Sequence, residues 1–238
     1  RSLRERERFN RIDYYDPYPY QRKFHKTGSE ANQRLLMAAN RIGKSFSGAS
    51  EMSYHLTGLY PDWWEGRKFT QPITAWAGGV SNETTRDIVQ YELLGSPDDP
   101  AAFGSGTVPR SKIIKTERKP GVPNAKSVAL IQHVTGGNSS LFFKAYEMGV
   151  DKWQGRSVDC IWLDEEPSRE LYSQAVTRTL DRKGMVYMTF TPESGMTETV
   201  ASFMNNLQHG QSLTNATWDD ASESVNSMNG AKGHLNED

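Results

Sequence analysis

The chain reads as an α/β domain with a mostly parallel central sheet, flanked by helices and carrying one added antiparallel hairpin. Three observations predict this. Short apolar runs at Leu35 to Ala39, Gln71 to Val80, Val158 to Leu163, Met185 to Thr191 and Ser212 to Trp218 alternate with stretches of helical character, the order that builds parallel sheets. Three of the runs end in polar groups, which is how an open parallel sheet assembles a site along one edge. Gly136-Gly137-Asn138 separates Ser127–His133 from Leu141–Ala145, two runs with strand character, and reads as a hairpin turn.

The elements follow in order. Residues 1–16 alternate Arg1, Arg4, Arg6, Arg8 and Arg11 with Glu5 and Glu7, the pairing of a solvated helix face. Pro17 and Pro19 hold the chain extended before a short helix. The first core strand, Leu35 to Ala39, leads through a polar loop into a helix that ends near Leu56, where Gly58 and Pro61 stop it. Trp63 and Trp64, after Pro61-Asp62, read as a packed turn. Asn82 caps a helix running to about Leu94, and residues 95–110, rich in Gly, Pro, Ser and Asp, read as loop. Further helices are expected over Ser168 to Leu180 and Thr197 to Leu207. From Asp219 the chain turns small and polar without apolar periodicity, the composition of a mobile tail.

Composition bounds the function. The 238 residues suffice for one large domain with a substantial core. Mean hydropathy is −0.71, and no apolar run approaches the roughly 20 residues of a membrane span. The N-terminus lacks the apolar core of a secretion signal. Cys160, the single cysteine, lies within an apolar strand, which excludes a disulfide framework. The five histidines have no metal-ligand spacing. A net charge of −1 makes any nucleic-acid contact a matter of local patches. One such patch is Arg110, Lys112, Lys115, Arg118, Lys119 and Lys126, with Glu117 as its acid, expected as a protruding loop that either contacts DNA phosphates or a neighbouring subunit, or is merely solvated.

Chemistry concentrates in two segments. Ala38-Ala39-Asn40-Arg41-Ile42-Gly43-Lys44-Ser45 has the strand, loop, helix order of a phosphate-binding loop, with Ala38 where the first glycine usually stands. The backbone N–H groups of Ala39, Asn40, Arg41, Ile42, Gly43, Lys44, Ser45 and Phe46 are candidates for cradling phosphate. Lys44 would reach the β- and γ-phosphates of ATP, and Ser45 would offer its hydroxyl to Mg²⁺. Ile161-Trp162-Leu163-Asp164-Glu165 is an apolar strand ending in two carboxylates. Asp164 is placed to hold Mg²⁺ through water, and Glu165 to polarise the attacking water.

Through these segments and several others, the chain resembles the large subunit of tailed-phage DNA-packaging terminases, over residues 19 to 221. Pro19-Tyr20-Gln21 resembles the adenine-recognising motif that precedes the phosphate loop. Leu163-Asp164-Glu165-Glu166 resembles the Walker B strand with its catalytic Glu, Thr189-Phe190-Thr191-Pro192 the coupling motif, and Thr217-Trp218-Asp219-Asp220-Ala221 the segment that closes the ATPase domain. The resemblance implies a P-loop NTPase fold of the ASCE, RecA-like class. It implies an Mg²⁺-dependent ATPase driving double-stranded viral DNA into a procapsid. The implied partners are that DNA, a portal protein, a small terminase subunit and further copies in a ring, a pentamer by family resemblance, with no membrane. The implied place is the host cell cytoplasm, with the protein absent from the mature virion. Residues 1–221 would be the motor domain and 222–238 a polar tail or the start of a linker, with the family's nuclease domain absent. A helicase-like ATPase of superfamily 2 is the alternative, and it would need a second RecA-like domain.

Several side chains keep two readings. The amide of Gln21 can read an adenine edge or sit on the surface. Arg41 can sense the γ-phosphate or pack at the loop base. Arg156 in Gln154-Gly155-Arg156-Ser157 is the candidate arginine finger for a neighbouring subunit's nucleotide, or an ordinary surface residue. Thr189 and Thr191 can couple to the phosphate state through their hydroxyls, or reflect β-propensity.

Overall fold

The computed structural model describes residues 2–193 and 195–235. Its centre is an eight-stranded sheet of order β3-β4-β5-β2-β6-β7-β1-β8. The strands are β1 (Gln33–Ala38), β2 (Thr74–Gly79), β3 (Ile113–Arg118), β4 (Lys126–Gln132), β5 (Asn138–Ala145), β6 (Cys160–Asp164), β7 (Met185–Phe190) and β8 (Gln211–Ala216). All neighbours from β5 to β8 pair in parallel, whereas β4 runs antiparallel to both β3 and β5. The central strands are buried on both faces, so they read as continuous apolar runs. β5 alternates buried with half-buried residues because one face is only partly covered.

One face of the sheet packs against α2 (Pro19–Thr27) and α3 (Lys44–Thr57) through Phe24, Ala49, Met52 and Leu56. The other packs against α6 (Arg169–Leu180) and α7 (Glu198–Met204) through Leu171, Ala175, Val200 and Phe203. Gly48 lets α3 lie close on β6, since a Cβ there would stand 2.6 Å from the Trp162 indole. Trp64 packs with Ile12, Tyr15 and Tyr54 in a smaller apolar cluster, the packed turn expected there. The N-terminal helix α1 (Leu3–Phe9) buries none of its residues. No helix among the described residues is long and apolar enough to cross a membrane.

Three local expectations change. The helix after Asn82 is composite: α4 (Asn82–Thr84), a π-helical stretch Thr85–Gln90, then α5 (Tyr91–Leu94). The Gln90 side chain accepts from the Lys126 N–H at 2.7 Å and donates to the Asn124 carbonyl at 3.1 Å, tying the stretch to the turn between β3 and β4. The basic segment 110–126 is no protruding loop. It supplies edge strand β3, held because Ile113 turns onto the core and the strand pairs along β4. The residues after β8 fold back on the body in place of the expected mobile tail. Ala221 is fully buried, Ser222 bridges to Leu235, and Asp16 binds Ser227 and the Asn229 N–H. Arg1 of the charged N-terminal stretch and residues 236–238 of the expected tail lie outside the described residues.

Candidate active site

The phosphate loop, the two carboxylates and the two threonines sit at the carboxyl ends of β1, β6 and β7. Strand β7 lies between β1, which feeds the phosphate loop, and β6, which ends in the carboxylates. The loop rises from Ala38 and enters α3 at Lys44, with Arg41 (φ 66°) and Gly43 (φ 93°) both left-handed. Glycine takes that conformation without steric cost; at Arg41 the surrounding bonds must hold it.

The loop is held from behind. Ile42 is fully buried. The carbonyls of Asn40, Arg41, Ile42 and Gly43 each accept from a side chain. Their donors are Trp218 Nε1 at 3.1 Å, His234 Nε2 at 2.8 Å, the Tyr20 hydroxyl and Gln21 Nε2 at 3.4 Å. Thr191 Oγ1 lies 2.8 Å from both the Ala38 carbonyl and Asn40 Oδ1. With successive carbonyls drawn away, the loop's N–H groups and the N-terminus of α3 are left to face an anion.

Lys44 is buried and donates from Nζ to Asn40 Oδ1 at 3.1 Å. The Ser45 hydroxyl donates to Asp164 Oδ1 at 3.0 Å, and Asp164 Oδ2 lies 3.3 Å away. Thr189 Oγ1 donates to Asp164 Oδ1 at 2.6 Å and accepts from Trp162 Nε1 at 2.8 Å. Thr189 is thus brought to Asp164, while Thr191 is brought to the loop. Burial pushes the Asp164 carboxyl up to about 6, against the bonds from Thr189 and Ser45 and the charge of Lys44. Burial, then the charge of Asp164, pushes Glu165 up to about 7, with Lys44 opposing. A carboxylate near neutrality is what a general base working at neutral pH requires.

No group of three or more His, Cys, Asp or Glu among the described residues could hold a metal ion by itself. Ser45 and Asp164 nevertheless fit Mg²⁺. Both present hard oxygens, and Mg²⁺ is ordinarily held by one or two protein oxygens with substrate phosphates and water completing the shell.

Gln21 is brought beside the loop, 3% exposed, its Oε1 accepting from the Tyr18 N–H at 2.8 Å. Arg41 is exposed at the crest of the loop, and Ala39 and Phe46 flank it half-buried. Arg156 is not brought to this site. It precedes β6, at the opposite end from Asp164, with its guanidinium 5.1 Å over the Phe142 ring on the partly covered face of β5.

Tyr20, Tyr146, Trp162, Trp218 and His234 are the site residues to which motif reading gave no individual role. Tyr20, Trp162 and Trp218 stand inside recognisable motifs, so their positions carried a signal. His234, 193 residues from the carbonyl it binds, carried none.

The family model described as terminase large subunit, T4-like-virus type, N-terminal, matches residues 35–225. The terminase large subunit of Salmonella phage P22 is 35% identical over 224 residues, covering 87% of this chain and 45% of that protein. The chain therefore spans about half the length of that relative. Among solved structures, the ATPase domain of the Thermus phage P74-26 large terminase aligns with a TM-score of 0.55 at 16% identity, over 88% of this chain and 85% of that one. The large terminase of a thermophilic bacteriophage, solved with ADP, aligns with a TM-score of 0.57 at 10% identity, over 86% of this chain and 46% of that one. At such identities the likeness is one of fold.

Proposed function

The chain belongs to the terminase large-subunit N-terminal family, and from that premise we propose that it is the ATP-hydrolysing motor of a machine that drives double-stranded viral DNA into a procapsid. The observation that carries the reading is the contact between Ser45 and Asp164. Two motifs 119 residues apart converge at 3.0 Å, with Lys44 and Glu165 on either side.

In this reading the loop N–H groups and Lys44 bind the β- and γ-phosphates of ATP. Ser45 and Asp164 hold Mg²⁺, which when bound would neutralise charge on the phosphate oxygens. Glu165 orients a water and takes its proton as the oxygen bonds to the γ-phosphorus and the bond from that phosphorus to the β–γ bridging oxygen breaks, releasing ADP. Thr189 holds Asp164 in place, and Thr191 ties the end of β7 to the loop, so movement of either strand end is transmitted to the other. Gln21 stands beside the loop for adenine. Arg41 is the charge stabiliser available within the chain, and Arg156 can reach only a neighbouring subunit's nucleotide. The partners proposed are double-stranded DNA, a portal protein, a small terminase subunit and further copies in a ring, acting in the host cell cytoplasm. Residues 1–221 are proposed as the motor unit and 222–238 as a polar tail or the start of a linker, whose described part packs back on that unit and lends His234 to the loop. The helicase-like alternative has no observation in its favour.

Mg²⁺-dependent ATP hydrolysis, measured against protein concentration for wild type and Arg156→Ala, tests the reading. A ring motor with a finger supplied in trans gives turnover per subunit that rises with concentration and falls about 10³-fold in the variant. Concentration-independent turnover, unaffected by Arg156→Ala, moves the stabilising charge to Arg41. No Mg²⁺-dependent hydrolysis at any concentration overturns the proposal.

A further inference from the structure

We propose that Tyr146 is the positioning residue for Glu165, aiming its carboxylate by fixing the backbone on both sides of it. This rests on the reading of Glu165 as the base. Tyr146 opens the turn after β5, and its hydroxyl lies 2.9 Å from the Asp164 carbonyl and 2.8 Å from the Glu165 carbonyl. Those carbonyls belong to the two peptide units that flank the Glu165 Cα. The single hydroxyl proton is shared between them, and among the described residues no other side chain donates to either.

Glu165 needs such a hold. Its φ is 70°, a left-handed conformation that a residue with a Cβ keeps only where the surroundings over-determine it. One constraint is its own N–H, which donates to the Thr189 carbonyl at 3.0 Å across the β6–β7 pair. Tyr146 is the other, and it is a rigid post. Its ring packs 6.0 Å from the fully buried Trp153 ring, and Trp153 Nε1 donates back to the Ala145 carbonyl at 3.3 Å. The handedness of the backbone at Glu165 sets the direction of its Cα–Cβ bond, and therefore where the carboxylate sits relative to Lys44 and Ser45. Without the hydroxyl the turn is free to relax toward the ordinary right-handed region, and the carboxylate swings off the water it must orient. The phosphate loop grows from β1, with β7 in between, and the Asp164 carboxylate is held separately by Ser45 and Thr189, so ADP binding does not depend on Tyr146.

The test compares Tyr146→Phe, Glu165→Gln and the double variant by single-turnover ATP hydrolysis, ADP affinity, and affinity for ADP with aluminium fluoride as a transition-state mimic. Tyr146→Phe is expected to keep ADP affinity within about twofold while losing roughly 10–100-fold in hydrolysis and at least about tenfold in affinity for the mimic. The double variant should be no slower than Glu165→Gln alone, because Tyr146 acts only through Glu165. Wild-type hydrolysis by Tyr146→Phe overturns the proposal. So does a further loss in the double variant, or a fall in ADP affinity parallel to the fall in rate. Wild-type hydrolysis by Glu165→Gln removes the base reading itself, and the proposal with it.

Discussion

Glu51 and the neighbouring pair Asp164 and Glu165, all withdrawn from solvent wholly or in part, are treated in opposite ways. Beneath the phosphate loop, Glu51 of α3 is fully buried and surrounded by donors. Arg34 of β1 forms an ion pair with it, His25 Nδ1 lies 2.7 Å from Oε2, and His55 Nε2 lies 3.3 Å from Oε1. Arg34 is itself held between the rings of Phe24 and Tyr187, at 4.8 and 5.3 Å. Burial alone would raise the Glu51 carboxyl, but the Arg34 charge and the histidine hydrogen bonds outweigh it and hold it well below the usual range. At the carboxyl end of β6, Asp164 has the hydroxyls of Ser45 and Thr189, the Glu165 carboxylate has no hydrogen-bond partner among the described residues, neither pairs in contact with a cation, and burial carries them up to about 6 and about 7. The difference is the presence of a permanent cation in contact. A compensated carboxylate locks α2, α3 and β1 together and stays inert. An uncompensated pair remains ready to take a proton or a cation.

The comparison can be broken first at Glu165, the proposed base. Glu165→Gln keeps the shape and removes the basicity; hydrolysis should fall about 10²–10⁴-fold with nucleotide affinity nearly unchanged, as read by phosphate release and a fluorescent nucleotide. Equal loss of binding and rate would instead class Glu165 with Glu51. At the structural end, Glu51→Leu strands Arg34 in the core. It should cost about 3–5 kcal/mol in denaturant unfolding, the penalty of breaking a buried pair from one side. A loss under about 1 kcal/mol would mean that Arg34 finds other partners.

The same contrast predicts a pH dependence of stability. Burial lowers the folded-state values of His25 and His55 below their ordinary range, against the bonds from Glu51. The unfolded chain therefore binds protons that the folded chain refuses, and stability falls as pH drops below about 6.5. Glu51 adds to the same trend lower down: its contribution is complete above the ordinary glutamate value and is lost as pH falls through its depressed folded value. Asp164 and Glu165, pushed up to about 6 and about 7, take up protons over the same window and oppose that trend, so the histidine contribution is read as a difference: the melting temperature of a His25→Asn, His55→Asn variant should gain on that of the wild type from pH 7 to pH 5. The smallest effect concerns the exposed edge. Neutralising Lys112, Lys115 and Lys119 should reduce the slope of DNA affinity against salt by about 0.9 for each phosphate that is no longer neutralised, with ATP hydrolysis in the absence of DNA unchanged. An unchanged slope removes the segment from the DNA surface.

Much of this was legible in the chain because it is local. The loop, the carboxylate strand and the Thr-Phe-Thr strand each announce themselves within a few residues, and the alternation of strands and helices predicts the parallel sheet. The basic segment misled because its half-covered residues, Ile113 and Thr116, are three apart across a register shift and lack the alternation that marks a strand; pairing along β4 makes a strand of it. The tail misled because a small, polar composition does not reveal partners such as Asp16, more than 200 residues away. Glu51 and Arg34 read as an ordinary helix and strand residue, since nothing in the sequence puts them opposite each other.

The sequence by itself determined which chemistry is present: a loop able to bind phosphate, a hydroxyl and a carboxylate able to hold a divalent cation, and a second carboxylate beside them. These depend on residue types at short spacing, which strand and turn geometry converts directly into neighbours. Only the tertiary structure decided how that chemistry is set. It inserts β7 between the loop strand and the carboxylate strand, seats Tyr146 against the backbone of Glu165, turns the loop carbonyls toward Trp218 and His234, and leaves Arg156 on another face. Burial, the presence or absence of a contacting cation, and bonds across long stretches of chain are properties of the folded packing, and they separate the ion-paired carboxylate from the uncompensated pair.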